Sequence, residues 1–466
     1  MKDLTQGSIT KIIIVMAAPV TLGMLFQTLY LLVDLYFVAR LGDASIAGVG
    51  AAGTLFFMIM AFSQVLGVSA VALISQAVGR KDKDEANLVF NQSMLLSVAC
   101  AAATIIGGYT LVDNYLQSIV SDNAVRSEGL KYLYWFLPGM SLQFAMMTMS
   151  SALRGTGIVK PAMAVQVLAV ILNTILTPIL IIGPGPIPAM GVVGAGLSSS
   201  LSIIIGVIML VMYFIKLEKY VSFQKRLWRP DFALWKRIID IGLPAGGEML
   251  LLFVYFSVVY WVIKDFGASA QAGFSIGGRI MQSIFMPAMV ISFVVGPIAG
   301  QNYGAGHADR VRKTLSSGVI LSSLIMILVT IFLQWKPELL VAFFTDEPDV
   351  IEVGAVFLSI ISWNFVAQGI VFTCSGIFQG LGNTRPALFS SIVRLGIFIP
   401  IAVYLTYQES FTINQLWYVS VATVIIQAIV SFFLLRREFH YRLKNLKEPQ
   451  AENVTETDVE ATAAAS

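Results

Sequence analysis

Twelve long apolar stretches, separated by short polar connections, make up most of the chain. A bilayer core about 30 Å thick needs roughly 20 apolar residues for one helix to cross it. Each stretch meets that length, and several exceed it, which favours tilted or kinked spans. The pattern predicts an all-α membrane protein with spans at residues 11–39, 44–78, 86–112, 128–152, 161–184, 190–216, 236–263, 268–300, 312–334, 350–378, 386–407 and 413–435.

Composition supports a lipid environment and excludes several other classes. Hydrophobic residues make up 57% and charged residues 12% of the chain, against roughly 45–50% and about 25% in soluble domains. The net charge of +3 is small, and the basic residues lie between apolar segments, so no nucleic-acid partner is expected. Cys100 and Cys374 lie in apolar runs without metal-ligand neighbours, so neither a disulfide nor a metal site is expected.

The distribution of basic residues predicts the orientation. Of the 30 Lys and Arg residues, 23 lie at the termini or in the even-numbered connections, five border odd-numbered connections and two lie inside spans. Positively charged connections stay on the cytoplasmic side. We therefore expect a multi-pass protein of the inner (plasma) membrane with both termini cytoplasmic.

An internal repeat relates the two halves of the chain. One constant shift along the sequence aligns Pro19 with Pro244, Gln76 with Gln301, and the segment RGTGIVKPAM with QGLGNTRPAL. We call two residues aligned by this shift repeat mates. A shift spanning six helices gives both halves the same orientation, so the repeat predicts two parallel six-helix bundles related by an axis along the membrane normal. Such a pair of bundles is typical of transporters that alternate access around a central site.

The repeat sets the expected domain boundaries. The N-terminal bundle is predicted at residues 1–216, a cytoplasmic linker at 217–235 and the C-terminal bundle at 236–440. Residues 441–466 end in a segment rich in Ala, Glu and Thr without apolar periodicity, which is typical of a disordered cytoplasmic tail.

Several segments resemble the multidrug and toxic compound extrusion (MATE) family. They are LYLLVDLYFVARLG, SQAVGRKDKDEA, ALRGTGIVKPAM and GVVGAGLSS in the first half, and GASAQAGFSIGGRI and GQNYGAGHADRVRKTL in the second. The resemblance runs from about residue 5 to 440. It implies a V-shaped pair of bundles that exports amphipathic or cationic drug-like compounds in exchange for H⁺ or Na⁺, without another cofactor.

Two acidic residues, Asp34 and Glu248, lie well inside predicted spans. A carboxylate at membrane depth is costly unless it is protonated, paired or facing a cavity, so both are candidate cation-coupling residues. The repeat pairs Asp34 with Val259, so the acid is present in only one half. In the family, an aspartate in this first-span motif couples transport to the cation, and the resemblance assigns that role to Asp34.

The sequence departs from the family pattern at two places. Family members often carry a second aspartate in the fifth span, where this chain has Thr177, one helical turn after Asn173. Another branch uses a glutamate in the seventh span at a position near Leu252, later than Glu248, and an aspartate in the tenth span that corresponds to Gln368. A coupling or substrate role for Glu248 therefore competes with an ion pair or a cytoplasmic gate.

Other polar residues in the spans are candidates for lining the transport cavity. They are Gln27, Gln143, Asn173, Thr177, Arg279, Gln368 and Arg394. Polar side chains of this kind also join neighbouring helices. Each arginine either neutralises a carboxylate or faces the cavity and gates it.

Two other functions compete with drug export. Flippases of lipid-linked saccharides are related transporters, but they tend to carry several basic residues in the cavity, whereas here two arginines face two acids. A membrane enzyme is disfavoured because the spans contain no histidine and no metal-binding or phosphate-binding motif. We expect a monomer in the lipid bilayer that binds small molecules.

Overall fold

The structure is a computed structural model that describes residues 2–183 and 188–444 together with Leu446. The side chains of residues 28–35, within the first helix, lie outside this description, as do residue 445 and the predicted tail from 447 onwards. The part of the chain that is described contains helices, turns and short connections and no strand. The predicted all-α class is therefore confirmed.

Fourteen α-helices carry the described chain. They are α1 (Ile9–Ala39), α2 (Asp43–Gly79), α3 (Lys83–Ile119), α4 (Asn123–Gly155), α5 (Lys160–Ile182), α6 (Val192–Lys216), α7 (Phe232–Ile263), α8 (Ala268–Gly304), α9 (Ala308–Trp335), α10 (Glu338–Ala342), α11 (Pro348–Ser362), α12 (Phe365–Gly380), α13 (Arg385–Thr406) and α14 (Ile413–Leu443). Two short 3₁₀ turns, Lys225–Leu227 and Lys264–Phe266, flank α7.

By length and hydropathy, the described helices form up to eleven segments that can cross a membrane, and α4 is long enough to form a twelfth. Ten of the described helices are long and apolar enough to cross a membrane, and α11 and α12 together form an eleventh, bent crossing. The twelfth is α4, whose 33 residues span about 50 Å at 1.5 Å per residue. Its first turns are more polar, with Arg126, Glu128 and Lys131.

The helix boundaries follow the internal repeat. In the first half α2, α3, α4 and α5 begin at residues 43, 83, 123 and 160, and in the second half α8, α9, α11 and α13 begin at 268, 308, 348 and 385. Each pair of starting residues is separated by the same shift that aligns the sequence of the two halves. The two bundles are thus copies of one helical unit.

The helices of the second half are interrupted at two places where those of the first half are not. One break lies between α9 and α10, in a predicted connection, and the other lies between α11 and α12, in a predicted continuous span. Pro337 separates α9 from α10, because its ring cannot donate the backbone hydrogen bond that would continue the helix. The predicted span 350–378 is wrong as a single helix, since α11 and α12 meet at Trp363 and Asn364 with a bend of 58°. In the first half, Pro138 holds the place of Trp363, yet α4 continues through it.

Three apolar cores hold the bundles together. One lies within the first half and reaches the start of α7, and a second lies within the second half, among helices α7 to α14. The third joins the halves, because Ile9, Ile13 and Met16 of α1 pack among residues of α8, α9, α12 and α14. Since α1 belongs to the first half by the repeat, this third core is an interface between the bundles.

The two halves meet closely where α2 and α8 end. A methyl group on Gly79 would overlap the carbonyl oxygen of Gln301, and one on Gly304 would overlap that of Gln76. Glycine is required at both places because the backbones approach too closely for any side chain. We call this end of the molecule, where α1 begins and α2, α8 and α14 end, the basic end.

The N-terminal segment, residues 2–7, closes part of the same junction. The N–H of Lys2 donates to the carbonyl oxygen of Thr156 (2.8 Å), and the N–H of Leu4 donates to Gln301 Oε1 (3.0 Å). Asn302 Nδ2 donates back to the carbonyl oxygen of Leu4 (3.2 Å), whose side chain is fully buried. The segment therefore contacts both halves.

The connection between the halves is fixed to α3. Gln92 Nε2 donates to the carbonyl oxygens of Leu227 (2.6 Å) and Arg229 (2.7 Å), and Asn91 Oδ1 accepts from Trp228 Nε1 (2.9 Å). Burial of these amides is tolerated because their hydrogen bonds are satisfied. The following helix α7 begins at Phe232, within the region that the sequence analysis gave to the linker.

Candidate transport cavity

A cavity of about 570 Å³ lies in the C-terminal half. Its walls come from α7, α8, α11, α12, α13 and α14, and α2 of the other half contributes Gln64 and Val68. Four of the residues predicted to form the site line it together: Glu248, Arg279, Gln368 and Arg394.

Glu248 lies near the middle of α7, where small residues bring that helix close to its neighbours. A Cβ on Gly246 would lie 2.8 Å from a methyl group of Val65, so α7 packs tightly on α2. The carboxylate Oε2 accepts a hydrogen bond from Ser375 Oγ of α12 (3.1 Å), and Ser391 of α13 is a second hydrogen-bonding partner. Helices α7, α12 and α13 therefore converge on one carboxylate.

The hydroxyl partners of Glu248 are held by two amides. Gln379 Nε2 donates to Ser375 Oγ (3.5 Å), and Gln427 Nε2 of α14 donates to Ser391 Oγ (3.0 Å). Among the residues that the structure describes, no salt bridge neutralises Glu248. The ion pair that was one of the alternatives for Glu248 is therefore not formed within the described residues.

The two arginines of the cavity have different settings. The guanidinium of Arg394 lies over the ring of Tyr255, 4.7 Å from the centroid, in a cation–π contact. Tyr255 is itself fixed by a hydrogen bond to Ser420 (2.7 Å). Arg279 is exposed, and neither arginine forms a salt bridge within the described part of the chain. The charged lining thus consists of two guanidiniums and one carboxylate.

The rest of the lining is largely aromatic and sulfur-containing. It includes Phe256, Tyr260, Phe274, Phe285, Phe293, Phe372, Met249, Met281 and Met289. Methionine side chains adapt to ligands of different shape, and aromatic faces bind both apolar groups and organic cations. Such a lining suits amphipathic molecules of varied structure.

Some polar atoms of cavity residues lack hydrogen-bond partners. Within the described residues, Gln64 Oε1, Asn364 Oδ1, Gln427 Oε1 and Arg394 Nε are buried without one. A buried polar atom left unpaired costs free energy, so these groups favour polar or hydrated contents in the cavity.

The other predicted lining residues lie in the N-terminal half and do not line this cavity. Thr177 and Asn173 are fully buried between α5 and α6, with Thr177 bonded to Ser198 (2.8 Å) and Asn173 Nδ2 to Ser199 (3.3 Å). This is the helix-joining role that the sequence left open for them. Gln27 Oε1 accepts from Gln166 (3.2 Å), and Gln143 is partly buried in α4.

Asp34 lies in α1, but its side chain is outside the described residues. Its repeat mate Val259 is fully buried in the core of the second half. The repeat also pairs Glu248 with Gly23 and Ser391 with Gln166, and a Cβ on Gly23 would lie 2.9 Å from Gln166 Oε1. Helices α1 and α5 therefore approach each other at the position where α7 and α13 meet in the second half, whereas the carboxylate is present only in the second half.

Several cavity residues were not predicted from the sequence, among them Gln64, Asn364, Ser375, Gln379 and Gln427. One signal was available. Gln368, Ser375 and Gln379 are spaced by seven and four residues, which places them on one face of a helix. No such spacing points to Gln64, because its helix belongs to the other half. Within the described chain, no group of three His, Cys, Asp or Glu side chains could hold a metal ion.

Long apolar helices in two copies of one helical unit, with a largely apolar cavity that holds a few charged and polar groups, define a multi-pass membrane transporter. The sequence profile of the MatE family matches residues 19–179 and again residues 244–404. The chain belongs to the MatE family, which confirms the resemblance seen in its motifs. The two matched regions are related by the same shift as the internal repeat.

Curated relatives extend over nearly the whole chain. The probable multidrug resistance protein NorM of Thermotoga maritima is 27% identical over 432 residues, 91% of this chain and 92% of that protein. The multidrug export protein MepA of Staphylococcus aureus is 25% identical over 387 residues, 82% and 84% of the two chains.

Solved structures share the fold. A MATE transporter in the bent conformation superposes with a TM-score of 0.89 at 25% identity, over 95% of this chain and 97% of that one. A transporter of the MOP superfamily from Pyrococcus furiosus, described as having a binding pocket of reverse polarity, gives 0.88 at 25% identity, over 95% and 98%. The two-bundle, twelve-helix architecture predicted from the sequence is thereby confirmed.

Proposed function

We propose that the chain exports amphipathic or cationic drug-like compounds in exchange for H⁺ or Na⁺, by alternating access between its two halves. The observation that carries the proposal is the cavity of the C-terminal half, where aromatic and methionine side chains surround Glu248. The apolar walls suit the body of an amphipathic compound, and the carboxylate suits a cationic group or a coupling ion. The names of the relatives NorM and MepA support the substrate class.

Glu248 has the setting that exchange of a cation requires. Its carboxylate is bonded to Ser375 and lies beside Ser391, while no described Lys or Arg side chain forms a salt bridge with it. A proton, a sodium ion or an organic cation would therefore compete for the same oxygens. Mutually exclusive binding at one carboxylate couples export of one cation to import of another, provided that the unoccupied transporter does not change its facing.

Asp34 is proposed as the principal coupling residue. The support is its position in the family motif LYLLVDLYFVARLG and its absence from the repeated position Val259. Glu248 would then share the coupling from the second half. Arg279, Gln368 and Arg394 are proposed to contact substrate in the cavity, whereas Gln27, Gln143, Asn173 and Thr177 are proposed for a site in the first half.

Alternating access would move the two repeated units against each other. We propose residues 1–216 and 236–440 as these units, joined by the linker 217–235. Residues 441–466 are proposed as a tail, although α14 itself continues to Leu443. The basic end is proposed to face the cytoplasm of a cell with the protein in its inner membrane, and the monomer is proposed as the transporting form.

Transport by the purified protein in liposomes tests the proposal. A fluorescent organic cation is loaded on one side, and proton and sodium gradients are imposed separately. Export driven by one of the two gradients is expected. Movement of the compound without response to either gradient would contradict exchange, and movement of lipid-linked saccharides instead would favour the flippase alternative.

A further inference from the structure

A second cavity, of about 650 Å³, opens at the basic end between the starts of α7 and α13 and the ends of α2 and α14. We call it the basic-end cleft. Its charged lining consists of Lys236, Arg237, Asp240, Arg385 and Arg442. Arg237 and Arg442 are paired with Glu85 and Glu438, whereas Lys236 and Arg385 form no ion pair within the described residues. Two unpaired cations beside the single carboxylate of Asp240 leave the cleft attractive to negative charge.

The internal repeat gives this cleft a counterpart, and there the space is filled. Gly382 lines the cleft, and a Cβ on it would meet only Gln76 and Ile241 within 4 Å. On its repeat mate Gly157, a Cβ would lie 2.7 Å from the carbonyl oxygen of Lys2 and 3.2 Å from the side chain of Leu4. An extended segment of the chain thus occupies one of two equivalent places.

Gln76 lies beside the cleft, and its repeat mate Gln301 lies beside the filled counterpart. Comparing their hydrogen bonds shows what kind of ligand the cleft can bind. Gln301 Nε2 donates to the carbonyl oxygen of Gly155, and its Oε1 accepts the N–H of Leu4. Gln76 Nε2 makes the matching bond to Gly380, but within the described residues no donor reaches Gln76 Oε1. The cleft therefore presents an acceptor where its counterpart binds a peptide N–H.

The charges of the cleft distinguish its ligand from the N-terminal segment. Asn302 and Arg310 hold the carbonyl oxygens of Leu4 and Gly7, but their repeat mates are Ala77 and Glu85. Among the described residues, Lys236 and Arg385 form no ion pair. Two unpaired cations beside a free peptide acceptor favour a peptide segment with acidic side chains.

Such a segment follows α14 in the sequence. Arg442, one residue before the end of α14, lines the cleft. Residues 448–466 contain no basic residue and five acidic ones: Glu448, Glu452, Glu456, Asp458 and Glu460. We propose that this acidic segment binds in the basic-end cleft.

Binding there would join the two halves. The cleft is lined by Leu73 and Gln76 of the first half and otherwise by residues of α7 to α14. A segment bound in the cleft would contact both halves, as Lys2 to Leu4 do at the counterpart of the cleft.

Disulfide formation between introduced cysteines tests the proposal in the full-length protein, with Cys100 and Cys374 replaced by serine. One variant combines Ala233→Cys, in the cleft, with Ala451→Cys. Its matched control combines Ser8→Cys, the repeat mate of Ala233, with the same Ala451→Cys. Because docking raises the local concentration of the segment, the cleft pair is expected to cross-link about tenfold faster than the control pair. Equal rates overturn the proposal.

Two further variants test whether charge is the cause. Changing the five acids to Gln or Asn, or Arg385→Gln in the cleft, is expected to bring the cleft pair down to the rate of the control pair. A preference for the cleft that survives neutralisation overturns the proposal. Vesicles with and without phosphatidylglycerol provide the last comparison. If the anionic lipid abolishes the preference, the cleft is a lipid headgroup site and the proposal is likewise overturned.

Discussion

Gln76 and Gln301, which are repeat mates, make the same hydrogen bond across the junction of the two halves. Each Nε2 donates over 2.9 Å to a glycine carbonyl oxygen, Gln76 to Gly380 and Gln301 to Gly155. The two glycines are themselves repeat mates. The bonds are therefore equivalent under the repeat, and each ties one bundle to the other at the basic end.

Close approach of the helices beside these bonds gives a first prediction. Gly79→Ala is expected to lower the stability of the folded protein by about 1–3 kcal/mol, because the added methyl group overlaps the Gln301 carbonyl oxygen. Thermal unfolding in detergent measures the effect. The control is Gly53→Ala in the same helix, where nothing lies within 4 Å of the new methyl group. Equal melting temperatures for the two variants would mean that the junction yields without cost.

Replacing Asp34 tests the proposed coupling. Asp34→Asn keeps the size of the side chain but removes its charge, so the variant is expected to fold and bind substrate while losing gradient-driven efflux. Efflux from liposomes is normalised to the amount of folded protein. Asp43→Asn, an exposed position at the start of α2, is the control. Wild-type efflux by Asp34→Asn would make Asp34 structural.

The carboxylate of the cavity gives a separate test. Glu248→Gln preserves hydrogen bonding with Ser375 but not the charge, and it is expected to slow transport rather than abolish it. Glu352→Gln, on an exposed face of α11 in the same half, should leave transport unchanged. A variant with unchanged rate and unchanged ion dependence would exclude Glu248 from coupling.

Thr177→Asp restores the acid that the family carries in the fifth span. The new carboxylate would lie in a fully buried site beside Ser198, where charge is costly without a partner. The pH dependence of transport is therefore expected to shift from that of the wild type. Thr177→Ser retains the hydroxyl and should reproduce the wild-type profile. Identical profiles for all three proteins would show that this site is isolated from transport.

Orientation is tested by labelling in a cysteine-free background. A cysteine at Lys225→Cys, in the linker between the halves, is expected to resist an impermeant reagent in intact cells and to react after lysis. Asp265→Cys, between α7 and α8, should react in intact cells. External labelling at residue 225 would reverse the proposed orientation.

The membrane spans and the internal repeat could be predicted from the sequence, whereas the interruptions of the helices could not. Spans and repeat could be found because lipid demands a continuous apolar helix, and a duplicated unit keeps its spacing. The bend at Trp363 and Asn364 could not be found, because neither residue is a strong helix breaker, whereas Pro138 in the equivalent position lies inside an intact helix.

The candidate site was predicted in part for a similar reason. Glu248, Arg279, Gln368 and Arg394 stood out as polar residues in apolar spans, and the structure brings them to one cavity. Asn173 and Thr177 carry the same signal, yet they bind hydroxyl groups between α5 and α6. A polar residue in an apolar span indicates only that its side chain needs a hydrogen-bonding partner. It does not report whether that partner is a neighbouring helix or the contents of a cavity.

The equal connections of the two halves have an evolutionary consequence. Residues 80–82 and 305–307 join equivalent helices, as do residues 156–159 and 381–384, without a single insertion. Surface loops usually tolerate insertions at little cost. Here Thr156 and Leu381 accept hydrogen bonds from Lys2 and Arg442, so an added residue would displace an acceptor. The geometry is that of a two-fold symmetric homodimer whose chains became one, and its ancestral subunit would have been a six-helix protein with this junction as its self-complementary surface.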